Sequence, residues 1–465
     1  MSLPLGRLAD VDFARRALAG GGLSAAACDA KAGRLASLAR RLMRDRADAD
    51  AHAFFVPGRI EVLGKHTDYA GGSSVLAAAE NGFCAVACGR SDRLVHVYDA
   101  TFDQSERFEI APDLAPPPGR WVNYPMTVAR RLARNFPPRL NGADIALASD
   151  LPPAAGMSSS SAFMVATFLA LSAVNDLPAR DEYRREIRDA LSLAQYLGCV
   201  ENGQSFGSLE GDRGVGTFGG SEDHTCMLCA RPGRLVQYAY CPARFELQFD
   251  LPGGLVFAIA SSGVTAAKTG NAMESYNRAS RLAGAAAAAW RAATDGAEPH
   301  LAAILAGADD AMSRLRSVLR AGSPPSPGQA AGSDGLAAPD LLRRAEHFFA
   351  ENCEIIPAAG EALRRGDLEA FGRAVDRSQQ LSESLLGNQV VETVFLARQA
   401  RELGAVAASA FGAGFGGSVW ALVDGERADA LLAGWKHAYE SACPARSKGA
   451  RFFTTGAGPA AFELG

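Results

Sequence analysis

The chain has 465 residues, 48% of them hydrophobic, and a formal net charge of −4. That size and apolar content suffice for two or three domains with substantial cores, and a near-balanced charge without a basic tract excludes nucleic acid as an expected partner. No apolar run of about 18 residues predicts a membrane span. The opening Met-Ser-Leu-Pro-Leu-Gly-Arg lacks the layout of a signal peptide, and nine scattered cysteines suit a reducing compartment, so a cytoplasmic protein is expected.

Residues 1–50 read as a helical, Ala- and Arg-rich leading segment. Apolar alternation then predicts strands over 52–56, 61–63, 75–80, 83–89 and 94–98, with turn residues between them. A helix is predicted over 121–135, a strand over 143–148, a buried helix from the serines near 160, and another helix over 181–201. The glycine-rich run 203–220 reads as an inserted loop, and Thr225–Ala230 as an apolar strand. The second half opens on a strand over 255–260 and is then mainly helical, over 273–319 and 339–403. Residues 322–335 are low-complexity and predict a mobile surface loop. Strands and helices mix without regular alternation, which predicts an α+β fold. The expected division is a leading segment 1–50, an N-terminal domain 51–250 and a C-terminal domain 251–465.

Three segments carry the chemistry. Residues 151–162, Leu-Pro-Pro-Ala-Ala-Gly-Met-Ser-Ser-Ser-Ser-Ala, run into the apolar stretch Phe163–Val174. Serine is a favoured N-cap, and a helix N-terminus preceded by glycine is a ready anion site. Four hydroxyls there suit a polyphosphate and Mg²⁺, although the segment alone would be an ordinary capped core helix. Residues 57–69 read Pro-Gly-Arg-Ile-Glu-Val-Leu-Gly-Lys-His-Thr-Asp-Tyr, and residues 409–420 read Ser-Ala-Phe-Gly-Ala-Gly-Phe-Gly-Gly-Ser-Val-Trp. A P-loop is absent: the nearest approach, Ser262 to Thr269, lacks both required glycines. His224, Cys226 and Cys229 could form a metal knuckle, but the second Cys-x-x-Cys pair of a structural zinc site is missing, which favours a buried strand.

In this order the three motifs resemble the signature motifs of the GHMP small-molecule kinases, and the first resembles the galactokinase signature. The resemblance implies a two-domain α+β fold with the active site in the cleft between the domains, and phosphoryl transfer from ATP with Mg²⁺. By the same resemblance, Gly156, Ser158, Ser159 and Ser160 would cradle phosphates, with Gly414 and Gly416 of the third motif letting backbone approach. One serine would ligate Mg²⁺, Ser160 being preferred, together with Glu201. Asp223 would be the general base, with Glu222 in reserve, and Arg59 would keep Asp223 ionised. The galactokinase segment around Ser275-Tyr276-Asn277-Arg278 implies that Tyr276 lines the sugar pocket, and His66 and Asp68 would bind sugar.

Galactokinases carry glutamate where this chain has Lys65, and a lysine cannot accept a hydrogen bond. If Lys65 faces the substrate, a sugar with a C6 carboxylate, such as galacturonate or glucuronate, is expected. If it turns away or pairs with Glu61, plain galactose is. The expected product is a sugar 1-phosphate, made by a monomer or weak homodimer whose partners are a small sugar and ATP. A non-catalytic sugar- and ATP-binding sensor and a kinase of a non-sugar alcohol are the alternatives.

Overall fold

A computed structural model describes residues 2–153, 155–265, 270–321 and 336–465. The expected loop at 322–335 lies outside them. The chain divides into two units, each discontinuous: 1–60, 77–235 and 455–465 form the first, and 61–76 with 236–454 the second. The three contiguous segments expected from the sequence do not describe this division. The leading helices belong to the first unit, and the motif at 57–69 is cut after Ile60.

Strands Leu3–Pro4, Asp50–Leu63, Ser73–Gly89, Ala143–Ser149, Leu94–Asp99 and Gln104–Glu109 follow one another across a sheet. The short pairs expected at 52–56 with 61–63, and at 75–80 with 83–89, are single long strands. Ala143–Ser149 pairs antiparallel with Ser73–Gly89 and parallel with Leu94–Asp99, with Ala85 opposite Leu147 and Val97 opposite Ile145. Alternate residues Cys84, Val86 and Cys88, with Ala53 and Phe55, bury one face against Leu18, Leu35 and Ala39 of helices Val11–Gly20 and Ala25–Met43. Their neighbours Ala85 and Ala87 point the other way and are equally buried, so both faces are covered. Buried Lys31 ties the second of those helices to Asp150, at 2.8 Å, immediately before the serine segment.

The second unit holds a four-stranded sheet in the order Ala407–Ala410, Ser418–Asp424, Leu255–Ser261, Arg451–Thr455. Small residues Ala258, Ala260, Ala408 and Ala421 let helices Val391–Glu402 and Ala428–Ala442 pack closely through Leu396, Trp435 and Tyr439. A second core joins helices Gly270–Thr294, Leu301–Leu305, Ala311–Ala321 and Ala338–Phe349, with Trp290, Leu315 and Phe348 at its centre.

Two sequence expectations fail locally. Residues 181–201 form two helices, Asp181–Glu186 and Ala190–Asn202, because Asp189 and Ser192 make a capping box that starts the second. The segment expected as a strand at 225–230 is instead part of helix Glu222–Cys229. Its apolar run is short, and periodicity over so few residues does not separate the two states. No helix among the described residues is long and apolar enough to cross a membrane.

Candidate active site

The serine segment enters helix Ser159–Val174 through Gly156 at φ 79° and Ser158 at φ 56°. Ser158 makes no side-chain cap, contrary to the usual role of serine there, so it does not occupy the first-turn N–H groups. The strand Asp50–Leu63 runs directly against this segment: Arg59 N donates to Met157 O at 3.2 Å. Gly58 makes that approach possible, since a Cβ there would sit 2.5 Å from Leu151 and 3.2 Å from Met157 O.

Arg59, buried, points its Nε at Asp223 Oδ1 at 2.8 Å and lies 3.6 Å from Glu222 Oε1. Both carboxylates occupy the first turn of Glu222–Cys229, where the helix dipole favours negative charge. Ser161 Oγ is 2.8 Å from Glu201 Oε2 and 3.3 Å from Asp223 Oδ2. A hydroxyl has one proton, so it cannot donate to both carboxylates at once. Thr217 reaches Glu201 Oε1 at 3.4 Å, and His224 Nε2 lies 3.4 Å from Glu201 Oε2. Arg59, Ser161, Glu201, Glu222, Asp223 and His224 therefore form one polar cluster inside the first unit.

The serine that reaches Glu201 is Ser161 rather than the preferred Ser160. Successive helical residues point about 100° apart, so only one of the four can face inward toward Glu201. The glycine-rich run is also more than a loop. Val215 N donates to Glu201 O at 2.8 Å, Asn202 donates to Gly219 O at 2.8 Å, and buried Arg130 holds Asp212 at 2.6 Å. The run folds back as a strap over the helix end that carries Glu201. Thr217, on that strap, has no local sequence signal that would have singled it out. Cys226 is fully buried with Sγ 3.2 Å from Ala77 O, and burial pushes its thiol up, which makes it a packing residue.

The sugar-motif residues lie in the second unit. His66, at φ 58°, places Nδ1 2.8 Å from Tyr69 Oη and Nε2 3.1 Å from Ala413 O, and its ring centroid is 5.2 Å from that of Tyr276. Asp68 accepts from Tyr69 N at 2.8 Å. Burial pushes Tyr69 up to about 12, against the opposing pull of Arg344. Gly414, at φ 78°, lies against Asn388, where a Cβ would be 2.3 Å from Asn388 O. The third motif is thus a tight turn between two paired strands whose glycines meet neighbours in their own unit.

Lys65 does not face outward. It is fully buried, and Nζ donates to Ser409 Oγ at 2.8 Å and Ser378 Oγ at 3.3 Å. Ser378 donates on to Glu351 Oε1 at 3.0 Å, which also accepts Gly64 N at 2.8 Å, and Ser409 donates to Gln379 Oε1 at 2.9 Å. The expectation of a substrate contact by Lys65 is corrected on this ground: its amine is held by two serine hydroxyls in the unit interior.

Known proteins share this chain's domains and fold. The GHMP kinases N terminal domain matches residues 123–205, the GHMP kinases C terminal domain residues 360–441, and the galactokinase galactose-binding signature residues 44–90. A galactokinase of Chloroflexus aggregans is 28% identical over 379 residues, covering 81% of this chain and 85% of that protein. One from Actinobacillus pleuropneumoniae serotype 3 is 25% identical, covering 82% and 87%. The fold is similar to that of Lactococcus lactis galactokinase complexed with galactose, with TM-score 0.75 and 21% identity over 93% of this chain and all of that one. Methanococcus jannaschii mevalonate kinase is more distant, with TM-score 0.53 and 13% identity over 89% of this chain and 99% of that one. The fold and these matches define a small-molecule phosphotransferase. The chain carries both GHMP kinase domains and the galactokinase galactose-binding signature, which indicate a galactokinase-like sugar kinase. Kinases of this family use ATP as phosphate donor, generally with Mg²⁺.

Proposed function

We propose that the protein transfers the γ-phosphoryl group of ATP to the anomeric hydroxyl of galactose, giving the sugar 1-phosphate and ADP. The observation that carries this is the Arg59–Asp223 pair joined through Ser161 to Glu201. Asp223 takes the proton of the attacking hydroxyl; the adjacent guanidinium favours its ionised, proton-accepting form and offsets charge that develops on the reacting groups. Gly156 and the first turn at Ser158, Ser159 and Ser160 offer backbone N–H groups to the phosphates. The oxygens of Ser161 and Glu201 suit a hard cation, which Mg²⁺ would satisfy with phosphate oxygens and water as further ligands. Bound there, Mg²⁺ would offset phosphate charge; positioning and proton removal fall to the chain's own residues.

Galactose is preferred over a C6-carboxylate sugar for two reasons. The case for an acid sugar rested on the Lys65 amine, which is engaged by Ser378 and Ser409. Asp68 accepts sugar hydroxyls and would repel a carboxylate brought beside it. ADP release measured with galactose, arabinose, galacturonate and glucuronate tests this. Galactose should exceed either uronic acid in kcat/KM by at least about tenfold. Preference for galacturonate overturns the substrate, and absence of turnover with every sugar overturns the activity.

A further inference from the structure

The second unit holds a cavity of about 390 Å³ whose lining does not include Gly156, Ser158–Ser161 or Glu201, although Phe415 and Ser275 bring it beside Gly414, Gly416 and Tyr276. Three arginines, Arg278, Arg343 and Arg344, line it against one carboxylate, Asp340. Arg278 donates to Asp340 Oδ2 at 2.6 Å and Arg343 to Asp340 Oδ1, and the two guanidinium groups remain about half exposed. Each guanidinium has five N–H donors, so both keep donors for a further anion. One wall is the π-helical turn Ser382–Leu386, which ends at Gly387; such turns recur at functional sites. The size exceeds what a single ion needs and suits a small metabolite, with Leu282 and Phe415 available to a carbon skeleton.

The floor of this cavity is bonded to the sugar motif at two points. Arg344 is buried, donates to the backbone oxygen of His66 and lies 3.4 Å from Tyr69 Oη. Asn388, also lining the cavity, donates to Ala413 O at 3.3 Å, the same oxygen that meets His66 Nε2 at 3.1 Å. Asn388 O accepts Phe415 N at 2.5 Å. His66 is thus held at its backbone by a residue that an occupant of the cavity would touch, and at its ring by Ala413 O, which the lining residue Asn388 shares.

We propose that this cavity binds a small phosphorylated metabolite, and that its occupancy is read at His66 through Arg344 and Asn388. A phosphate dianion fits paired guanidinium forks better than the single carboxylate between them, since it brings more acceptor oxygens and more charge. The regulatory half rests on the sugar-kinase reading; the binding half does not. The full chain is titrated calorimetrically, without ATP or Mg²⁺, with glucose 6-phosphate, inorganic phosphate and glucose. Glucose 6-phosphate should bind saturably and more tightly than inorganic phosphate, with no matching signal from glucose. Arg343→Glu, at an exposed side chain, should weaken that binding by at least about tenfold, and Arg278→Ala should weaken it less. In turnover, saturating glucose 6-phosphate should shift the KM for galactose in the wild type but not in Arg343→Glu. Absence of saturable binding at concentrations on the order of 1 mM overturns the site, as does equal binding by Arg343→Glu or displacement by ATP. Binding lost in the variant with no shift of KM in the wild type overturns the regulatory half alone.

Discussion

The cluster around Arg59 in the first unit and the one around Lys65 in the second use similar parts: one cation, two hydroxyl side chains and at least one buried carboxylate. They differ in where the protons point. From Lys65 two donors lead outward to acceptors, through Ser378 to Glu351 and through Ser409 to Gln379, so each hydroxyl both accepts and donates. Around Ser161 a single hydroxyl proton faces two carboxylates, Glu201 and Asp223, and Glu222 adds a third near Arg59. A chain of hydrogen bonds with a consistent direction stabilises a fold. Carboxylates converging on one hydroxyl leave acceptors in excess of protons, and on the proposed reading that difference separates a structural network from a site for chemistry.

The largest effect should come from the reacting side of this contrast. Asp223→Asn is expected to lower kcat by about two to four orders of magnitude while ATP and galactose still bind. Near-normal turnover would move the base to Glu222, and loss of ATP binding would make Asp223 structural. The mirror experiment on the other cluster is Lys65→Met. It removes the donor to two buried hydroxyls and should reduce unfolding free energy by about 2–3 kcal/mol in urea titration, leaving the ratio of kcat/KM for galactose and galacturonate unchanged. A changed ratio with unchanged stability would place Lys65 with the substrate after all.

Smaller effects sharpen the comparison. Ser161→Ala should raise the Mg²⁺ concentration needed for half-maximal rate by about tenfold or more, and Ser160→Ala by much less; the reverse order would return the metal ligand to Ser160. The smallest expected effect is a pH dependence beside the Lys65 network. Burial, with Arg344, His66 and Lys65 adding to it, holds His347 well below its ordinary value, and its Nε2 has no hydrogen-bond partner among the described residues. A histidine lowered on folding contributes stability that is complete above about pH 6.5 and is lost as pH falls, by up to about 1.4 kcal/mol per pH unit. His347→Gln should flatten the fall in Tm between about pH 6.5 and 5. An unchanged acid limb would assign the loss to other groups.

Part of the proposed site was legible in the sequence, because each motif is local and the resemblance supplied the pairing between motifs. The serine loop is followed by a helix, Arg59 sits in a strand beside it, and Asp223 lies within pairing distance of Arg59, as the family resemblance implied. Other readings failed where the deciding partner is far away in sequence. The apolar run after Asp223 had no length or periodicity to reveal a helix, and the glycines at 203–220 gave no hint that Asp212, through Arg130, would anchor them as a strap.

The sequence by itself carried the kinase class, through the resemblance of its three ordered motifs to a known family, and the α+β architecture, since apolar runs and turn residues act within a few positions. Only the tertiary structure decided which of four serines turns toward Glu201, because that depends on the rotation of helix Ser159–Val174 against its neighbours. It also decided the fate of Lys65. A flexible four-carbon stem can carry its amine in any direction, and the acceptors that hold it, Ser378 and Ser409, lie 313 and 344 positions further along the chain.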